Sequence, residues 1–254
     1  MCGICGCGQT EQKHDHSHTH EHGSDTHEHN HDPVDLGTER LVQVEQALLS
    51  KNNSYAEQNR SYFQEHHIFA LNLVSSPGAG KTSLLVETIK QLKDQFPIAV
   101  IEGDQQTEHD AERIRASGAP ALQINTGRAC HLDAHAIGHA VMDLKVADNS
   151  FLAIENVGNL VCPASFDLGE AHKVVVLSVT EGDDKPLKYP DMFHAADLML
   201  INKIDLLPYV DFDVERCIQY AKQVNPDIQI MQLSTTKGTN FSDWTAWLSE
   251  RVIS

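Results

Sequence analysis

Basic residues are scarce in this chain: 19 Lys and Arg stand against 36 Asp and Glu, a formal net charge of −17. So acidic a surface repels a nucleic-acid backbone or an anionic membrane face, and neither is expected as a partner. Long apolar runs are missing as well. No stretch approaches the ~18–20 consecutive apolar residues that a membrane span needs. The opening MCGICGCGQTEQ has neither a basic start nor a hydrophobic stretch, so it does not read as a secretory signal. Cysteine is sparse, with six in 254 residues. Three of these crowd into positions 2–7, a spacing too tight for a disulfide framework and suited to metal ligation. A reducing, cytoplasmic location is the expectation. What is there is ordinary by contrast: hydrophobic residues form 41% of the chain, enough for a core in one globular domain with appendages.

Residues 1–33 read as a disordered arm. His14, His16, His18, His20, His22, His27, His29 and His31 are interleaved with acidic, Ser, Thr and Gly residues. Almost nothing here can bury apolar surface and offset the entropy of ordering the backbone. Residues 34–254 are expected to form the folded domain. It opens with two helical candidates, 35–50 and 54–66, the first carrying Leu41, Val44, Ala47 and Leu48 at helical spacing. Short apolar strands follow at 68–74, 97–102, 120–125, 150–155, 173–179, 197–202 and 228–233. Helices are expected at 81–95, 107–117, 132–146, 213–224 and 238–252. This alternation implies an α/β fold, a mostly parallel sheet with helices on both faces.

Strand 68–74 runs into Ser75-Ser76-Pro77-Gly78-Ala79-Gly80-Lys81-Thr82-Ser83. This matches G-x-x-x-x-G-K-[ST] except that Ser75 replaces the first Gly. Gly78, Ala79 and Gly80 let successive backbone N–H groups turn onto a phosphate, and the helix N-terminus adds its positive dipole end. Lys81 reaches the β- and γ-phosphates, and the Thr82 hydroxyl is a Mg²⁺ ligand. Strand 197–202 ends in Asn202-Lys203-Ile204-Asp205, an N-K-x-D string. The Asp205 carboxylate can accept from the guanine ring N–H and exocyclic amine, which adenine does not present there. GTP/GDP over the adenine nucleotides is the expectation. Ser234 and Thr235 open a loop suited to the guanine oxygen. Asp104 and Glu155 stand at two more strand ends, either as Mg²⁺ ligands or as plain loop carboxylates. No water-positioning glutamine or arginine finger stands out, so slow intrinsic hydrolysis is expected.

Two cysteine groups suit a borderline metal such as Ni²⁺ or Zn²⁺. Cys2, Cys5 and Cys7 lie on a glycine-rich strip, the alternative being a redox-sensitive tail. Cys130, His131 and Cys162 fall on loops beside the nucleotide motifs, the alternative being small buried core residues. The eight arm histidines offer weak nickel storage. Cys217 reads as core, and His66, His67, His109, His135, His139, His172 and His194 carry no assignment.

The C-x-x-C-G-C start, the His-rich arm, S-S-P-G-A-G-K-T, E-N-V-G-N-L-V-C-P (155–163) and N-K-I-D together resemble the HypB family, the GTPases of hydrogenase nickel incorporation. The resemblance covers essentially the whole chain. It implies a P-loop GTPase of the dimeric metallochaperone class, a tight nickel site at Cys2, Cys5 and Cys7, and a nucleotide-coupled site at Cys130, His131 and Cys162. It also implies a homodimer, a zinc-containing co-chaperone and a hydrogenase large-subunit precursor as partners. An apolar contact surface is offered by 206–210, unless these residues only begin the next helix. Ala164 after Cys162-Pro163 departs from the Cys-Pro-His of urease accessory relatives. A metal-buffering protein with a secondary GTPase domain is the competing reading.

Overall fold

The computed structural model describes residues 36–104, 109–127 and 130–253. The calls on the arm, Cys2, Cys5 and Cys7 included, lie outside the described residues. Two units are distinguished, one ending at Leu48 and the other comprising Leu49–Ser254. The described part of the first is the beginning of helix α1 (Leu36–Glu65). This single helix replaces the two expected over 35–50 and 54–66. The reason lies at Asn52, a weak helix former that is nonetheless kept because its side chain is used. Its Nδ2 donates to the Asp167 carbonyl at 2.7 Å and its Oδ1 accepts from the Ala134 N–H at 2.9 Å.

The larger unit continues as β1 (Ile68–Ser75), α2 (Lys81–Leu92), β2 (Ile98–Asp104), α3 (His109–Ser117), β3 (Ala121–Asn125), α4 (Ala134–Leu144) and β4 (Ser150–Gly158). After these come β5 (His172–Ser178), α5 (Lys185–Lys188), α6 (Pro190–Ala195), β6 (Leu198–Asn202), α7 (Val214–Val224), β7 (Gln229–Gln232) and α8 (Phe241–Ile253). All seven expected strands are present, and every pairing between them is parallel. The strand order is β3-β2-β4-β1-β5-β6-β7. Because the strands are parallel, their C-terminal ends share one edge, where ligands of α/β sheets bind.

Side-chain alternation divides the core between the two faces. Leu71 and Leu73 of β1 point into a cluster with Leu84, Leu85 and Ile89 of α2 and Trp244 and Leu248 of α8. Ala70 joins Ile101, Leu152, Ile154, Ile137 and Phe63 on the opposite face. Val74 joins Val175, Met199, Phe193 and Cys217 there, nearer β6. Cys217 is thus a core residue as expected, and burial pushes its thiol pKa up to about 12. Among the described residues, no helix is long and apolar enough to cross a membrane.

Candidate nucleotide and metal sites

At the C-terminal edge the loop after β1 bends through Gly78 (φ 77°) and Gly80 (φ 104°) into α2. Gly80 is needed twice over. Its φ is left-handed, and a Cβ there would lie 2.7 Å from Asn202 Nδ2. Lys81 is buried, and its Nζ donates to Ser75 Oγ at 2.7 Å. Ser75, the one departure from the phosphate-loop pattern, therefore seats the lysine. Burial lowers the Lys81 pKa, while the Glu155 carboxylate raises it in part.

Thr82 Oγ1 donates to Glu155 Oε1 at 2.8 Å. The other Glu155 oxygen is buried with no hydrogen-bond partner among the described residues. Burial pushes the Glu155 pKa up, against the opposing influence of Lys81 and Thr82. A buried orphan carboxylate oxygen beside a hydroxyl is a donor pair that fits a hard divalent cation. Asp104 closes β2 at the same edge; its side chain lies outside the described ones.

The N-K-x-D segment is wired to the loop after β1. Asn202 Nδ2 donates to the Ala79 carbonyl at 3.1 Å, and Lys203 Nζ to the Gly78 carbonyl at 2.7 Å. Asn202 Oδ1 accepts from Thr235 N–H and Oγ1 at 3.2 and 3.0 Å. Ser234 Oγ donates to Asp205 Oδ1 at 2.5 Å. The structure thus brings Gly78, Ala79, Gly80, Lys81, Thr82, Asn202, Lys203, Asp205, Ser234 and Thr235 to one region. A cavity of about 540 Å³ opens between Pro77–Ser83 and the ends of β2 and β4.

Two cations that the sequence reading missed stand beside the loop. Arg113 lines the cavity from α3 and donates to Ser83 Oγ at 3.2 Å and to Asp110 Oδ1 at 2.9 Å. Lys185 donates to Ser76 Oγ at 3.1 Å and pairs with Glu181 at 3.1 Å. Neither belongs to a contiguous motif. The only signals in the sequence are a basic residue one turn into α3 for Arg113 and one at the first position of α5 for Lys185.

The second cluster joins loops that are distant in sequence. Cys130 and His131 precede α4, and Cys162 opens a 3-10 turn, Cys162–Ser165. One ligand atom from each lies within 4.8 Å of the others, and all three residues are half-buried. Cys130 Sγ is 3.6 Å from His131 Nδ1, and the imidazole lies tilted against the Phe166 ring with centroids 3.8 Å apart. Burial lowers the His131 pKa, which Asp133 opposes. Two thiols and a neutral imidazole suit nickel or zinc by donor type.

Side chains away from the ligand atoms hold this arrangement. Asn156 Oδ1 accepts from the Leu132 N–H at 3.2 Å, and Asn159 Nδ2 donates to the Cys130 carbonyl at 3.2 Å. Lys173 Nζ donates to the carbonyls of Pro163, Ala164 and Phe166 at 3.0, 3.2 and 3.2 Å. The segment 155–162 thus runs from the phosphate cavity to the metal cluster.

A family model described as CobW/HypB/UreG, nucleotide-binding domain, matches residues 69–232. The hydrogenase maturation factor HypB of Azotobacter vinelandii is 62% identical over 216 residues, covering 85% of this chain and 71% of that protein. The chain belongs to the HypB family. The HypB crystal structure from Archaeoglobus fulgidus superposes with a TM-score of 0.75 at 41% identity, covering 80% of this chain and 99% of that one. The HypB structure from Helicobacter pylori, solved in complex with nickel, gives a TM-score of 0.74 at 41% identity, with 80% and 95% covered. The resemblance drawn from the motifs therefore holds, and so does the P-loop GTPase-like α/β fold that it implied.

Proposed function

We propose that this HypB-family chain is a GTP-hydrolysing nickel metallochaperone whose nucleotide cycle governs nickel insertion into a [NiFe]-hydrogenase large-subunit precursor. One observation carries the reading. The run Glu155–Cys162 has a carboxylate on the phosphate cavity at one end and a thiol in the metal cluster at the other. A shift of this run on nucleotide exchange would alter the metal donors, and metal binding would bias the nucleotide equilibrium equally, because such coupling is reciprocal.

In this reading the N–H groups around Gly78–Gly80 and the start of α2 cradle the phosphates, and Lys81 leaves Ser75 for them. Asp205 reads guanine, with Ser234 and Thr235 beside it. Thr82, Glu155 and Asp104 would hold Mg²⁺, which supplies charge neutralisation at the β- and γ-phosphates. A slow intrinsic rate goes with this reading, since the sequence presents no obvious water-positioning glutamine or assignable arginine finger. Nickel is cargo at Cys130, His131 and Cys162, with Zn²⁺ as its competitor. The arm, 1–33, adds a tight site at Cys2, Cys5 and Cys7 and storage on its histidines, while 34–254 forms the GTPase domain.

A homodimer, a zinc-containing co-chaperone and a cytoplasmic location complete the proposal. Leu206 and Leu207 lie in a 3-10 turn, Ile204–Tyr209, rather than at the start of a helix, and pack partly on the core. Tyr209 beside them is 83% exposed, which keeps this turn a candidate dimer contact.

The test is nickel and zinc affinity of the full chain carrying Cys2, Cys5 and Cys7→Ser, measured with GDP and with a non-hydrolysable GTP analogue. Metal affinity should change with the nucleotide, and Cys130→Ala should remove the change. Identical affinities in both states would favour metal buffering instead.

A further inference from the structure

Polar side chains interrupt one apolar face of the sheet. Side chains alternate along a strand, so Asn72 of β1 stands between Ala70 and Val74, and Asn156 of β4 follows Leu152 and Ile154 on that face. Lys173 of β5, the register partner of Asn72, precedes Val175 there. Ala70, Leu152 and Ile154 belong to one apolar cluster, whereas Val74 and Val175 belong to another. The three polar residues thus follow the seam between two cores. Glu170, just before β5, joins them, and none of the four is more than 8% exposed. Such burial is costly unless every polar atom is bonded.

Here the bonds run as one chain. Asn156 Nδ2 donates to Asn72 Oδ1 at 3.2 Å, and Asn72 Nδ2 donates to Glu170 Oε1 at 3.0 Å. Glu170 Oε1 lies 3.9 Å from Lys173 Nζ, and its other oxygen accepts from the Leu168 N–H at 2.6 Å. The two ends of the chain hold different metal donors. At one end Asn156 holds the N–H of Leu132, which packs in the first cluster and follows Cys130 and His131. At the other, Lys173 holds the turn of Cys162, and Leu160 and Ala164 on either side of that cysteine pack on the second cluster. Cys162 therefore meets Cys130 and His131 across the seam.

We propose that Asn72 and Glu170 are positioning residues for the metal cluster, their chain from Asn156 to Lys173 setting the gap across which Cys162 meets Cys130 and His131. An apolar seam would not do this, because hydrophobic contact is non-directional and lets two packed surfaces slide. Hydrogen bonds weaken steeply away from their preferred angle and distance, so the chain fixes the offset. Asn156 also lines the cavity beside Glu155, which puts the first link of the chain within reach of a bound nucleotide. Neither Asn72 nor Glu170 lines that cavity or supplies a metal donor. The inference rests on the reading of Cys130, His131 and Cys162 as a metal site, but not on which ion is carried.

The test is alkylation of the full chain by iodoacetamide, read at each cysteine by mass spectrometry across a series of chelator-buffered Ni²⁺ or Zn²⁺ concentrations. Metal on the arm does not change the free concentration. Asn72→Leu breaks the chain at its middle and nearly keeps the volume. The free metal that half-protects Cys130 and Cys162 should rise ~10-fold, the lower end of the range for outer-shell partners, because Asn72 acts through others. Glu170→Gln should shift it in the same direction, and decides the matter if Asn72→Leu does not fold. The core thiol of Cys217 reports folding, since it stays unreactive in a closed domain. Val100→Ala, which trims the core on the opposite face, should lower the melting temperature and leave half-protection where it was. Half-protection unmoved in both seam variants, or moved as far by Val100→Ala, would overturn the inference. So would a parent whose Cys130 and Cys162 neither ion protects. Protection by Zn²⁺ alone would bring down the nickel reading, and the same variants then decide the inference against Zn²⁺.

Discussion

The proposed phosphate cradle and the proposed metal cluster lie at the same sheet edge, yet they are held in different ways. In the cradle, the side-chain atoms aimed at the ligand are bonded to one another: Lys81 to Ser75, Thr82 to Glu155, Ser234 to Asp205. In the metal cluster, the support acts on backbone atoms, through Asn156, Asn159 and Lys173. The first arrangement keeps functional groups satisfied until a ligand takes their place. The second positions the ligand atoms mainly through the backbone, with one contact between donors, Cys130 Sγ to His131 Nδ1 at 3.6 Å, so residues with no donor role determine whether the donors meet.

Substitutions can break this contrast from either side, and the largest effect belongs to the cradle. Asp205→Asn should erase a preference for guanine over other bases by up to ~10⁴-fold, read by competition between nucleotides, because a required hydrogen bond is lost. Lys173→Met should come next. It removes a buried ammonium that faces three carbonyls and lies 3.9 Å from the buried Glu170. Breaking such a pair costs about 3–5 kcal/mol in a denaturation experiment, and metal affinity should fall with it although no donor has changed.

Cys162→Ala should weaken nickel binding at least ~100-fold in a buffered titration, since loss of even an outer-shell partner typically costs ~10–100-fold. Nucleotide affinity without metal should stay the same. Lys81→Ala is its mirror image. Nucleotide affinity should drop ~10- to 100-fold, in line with hydrogen bonds to charged groups contributing about 1.5–3 kcal/mol, while metal affinity without nucleotide is unaltered.

The smallest effect tests the frame around both. Arg60 Nη2 donates to both Asp167 oxygens, at 2.8 and 2.7 Å. Burial pushes the Asp167 pKa up, but the Arg60 bond, the Gly169 N–H and the Arg60 charge outweigh it and hold the group below its usual value. A depressed carboxylate contributes stability above its unfolded pKa of ~3.9 and loses it as pH falls through the folded value. Both partners are 39% exposed, so solvent screening limits Arg60→Ala to about 1 kcal/mol or less at neutral pH. The gap between parent and variant should close below about pH 4, as followed by urea denaturation across that range.

Much of this was legible in the chain, and unevenly so. The strands were visible because buried parallel strands are short, apolar on both faces and bounded by loops. The phosphate and base motifs were visible because their chemistry is contiguous. The short helices α5 and α6 were not, since each is little more than one turn and begins beside a proline. Arg113 was invisible for a different reason. Which face of α3 meets the cavity depends on how the helix packs, and a nine-residue polar helix carries little periodicity to announce it. Asn156 and Lys173 act on backbone atoms of other segments, and no spacing rule reports that.

The 2.7 Å between a Cβ at position 80 and Asn202 Nδ2 makes these two positions a single unit of inheritance. A lineage that replaced Gly80 would have to move or shorten the side chain at position 202. For anyone recoding this protein toward another base, Asp205 is the position to vary, while Gly80, Asn202 and Thr235 are best treated together.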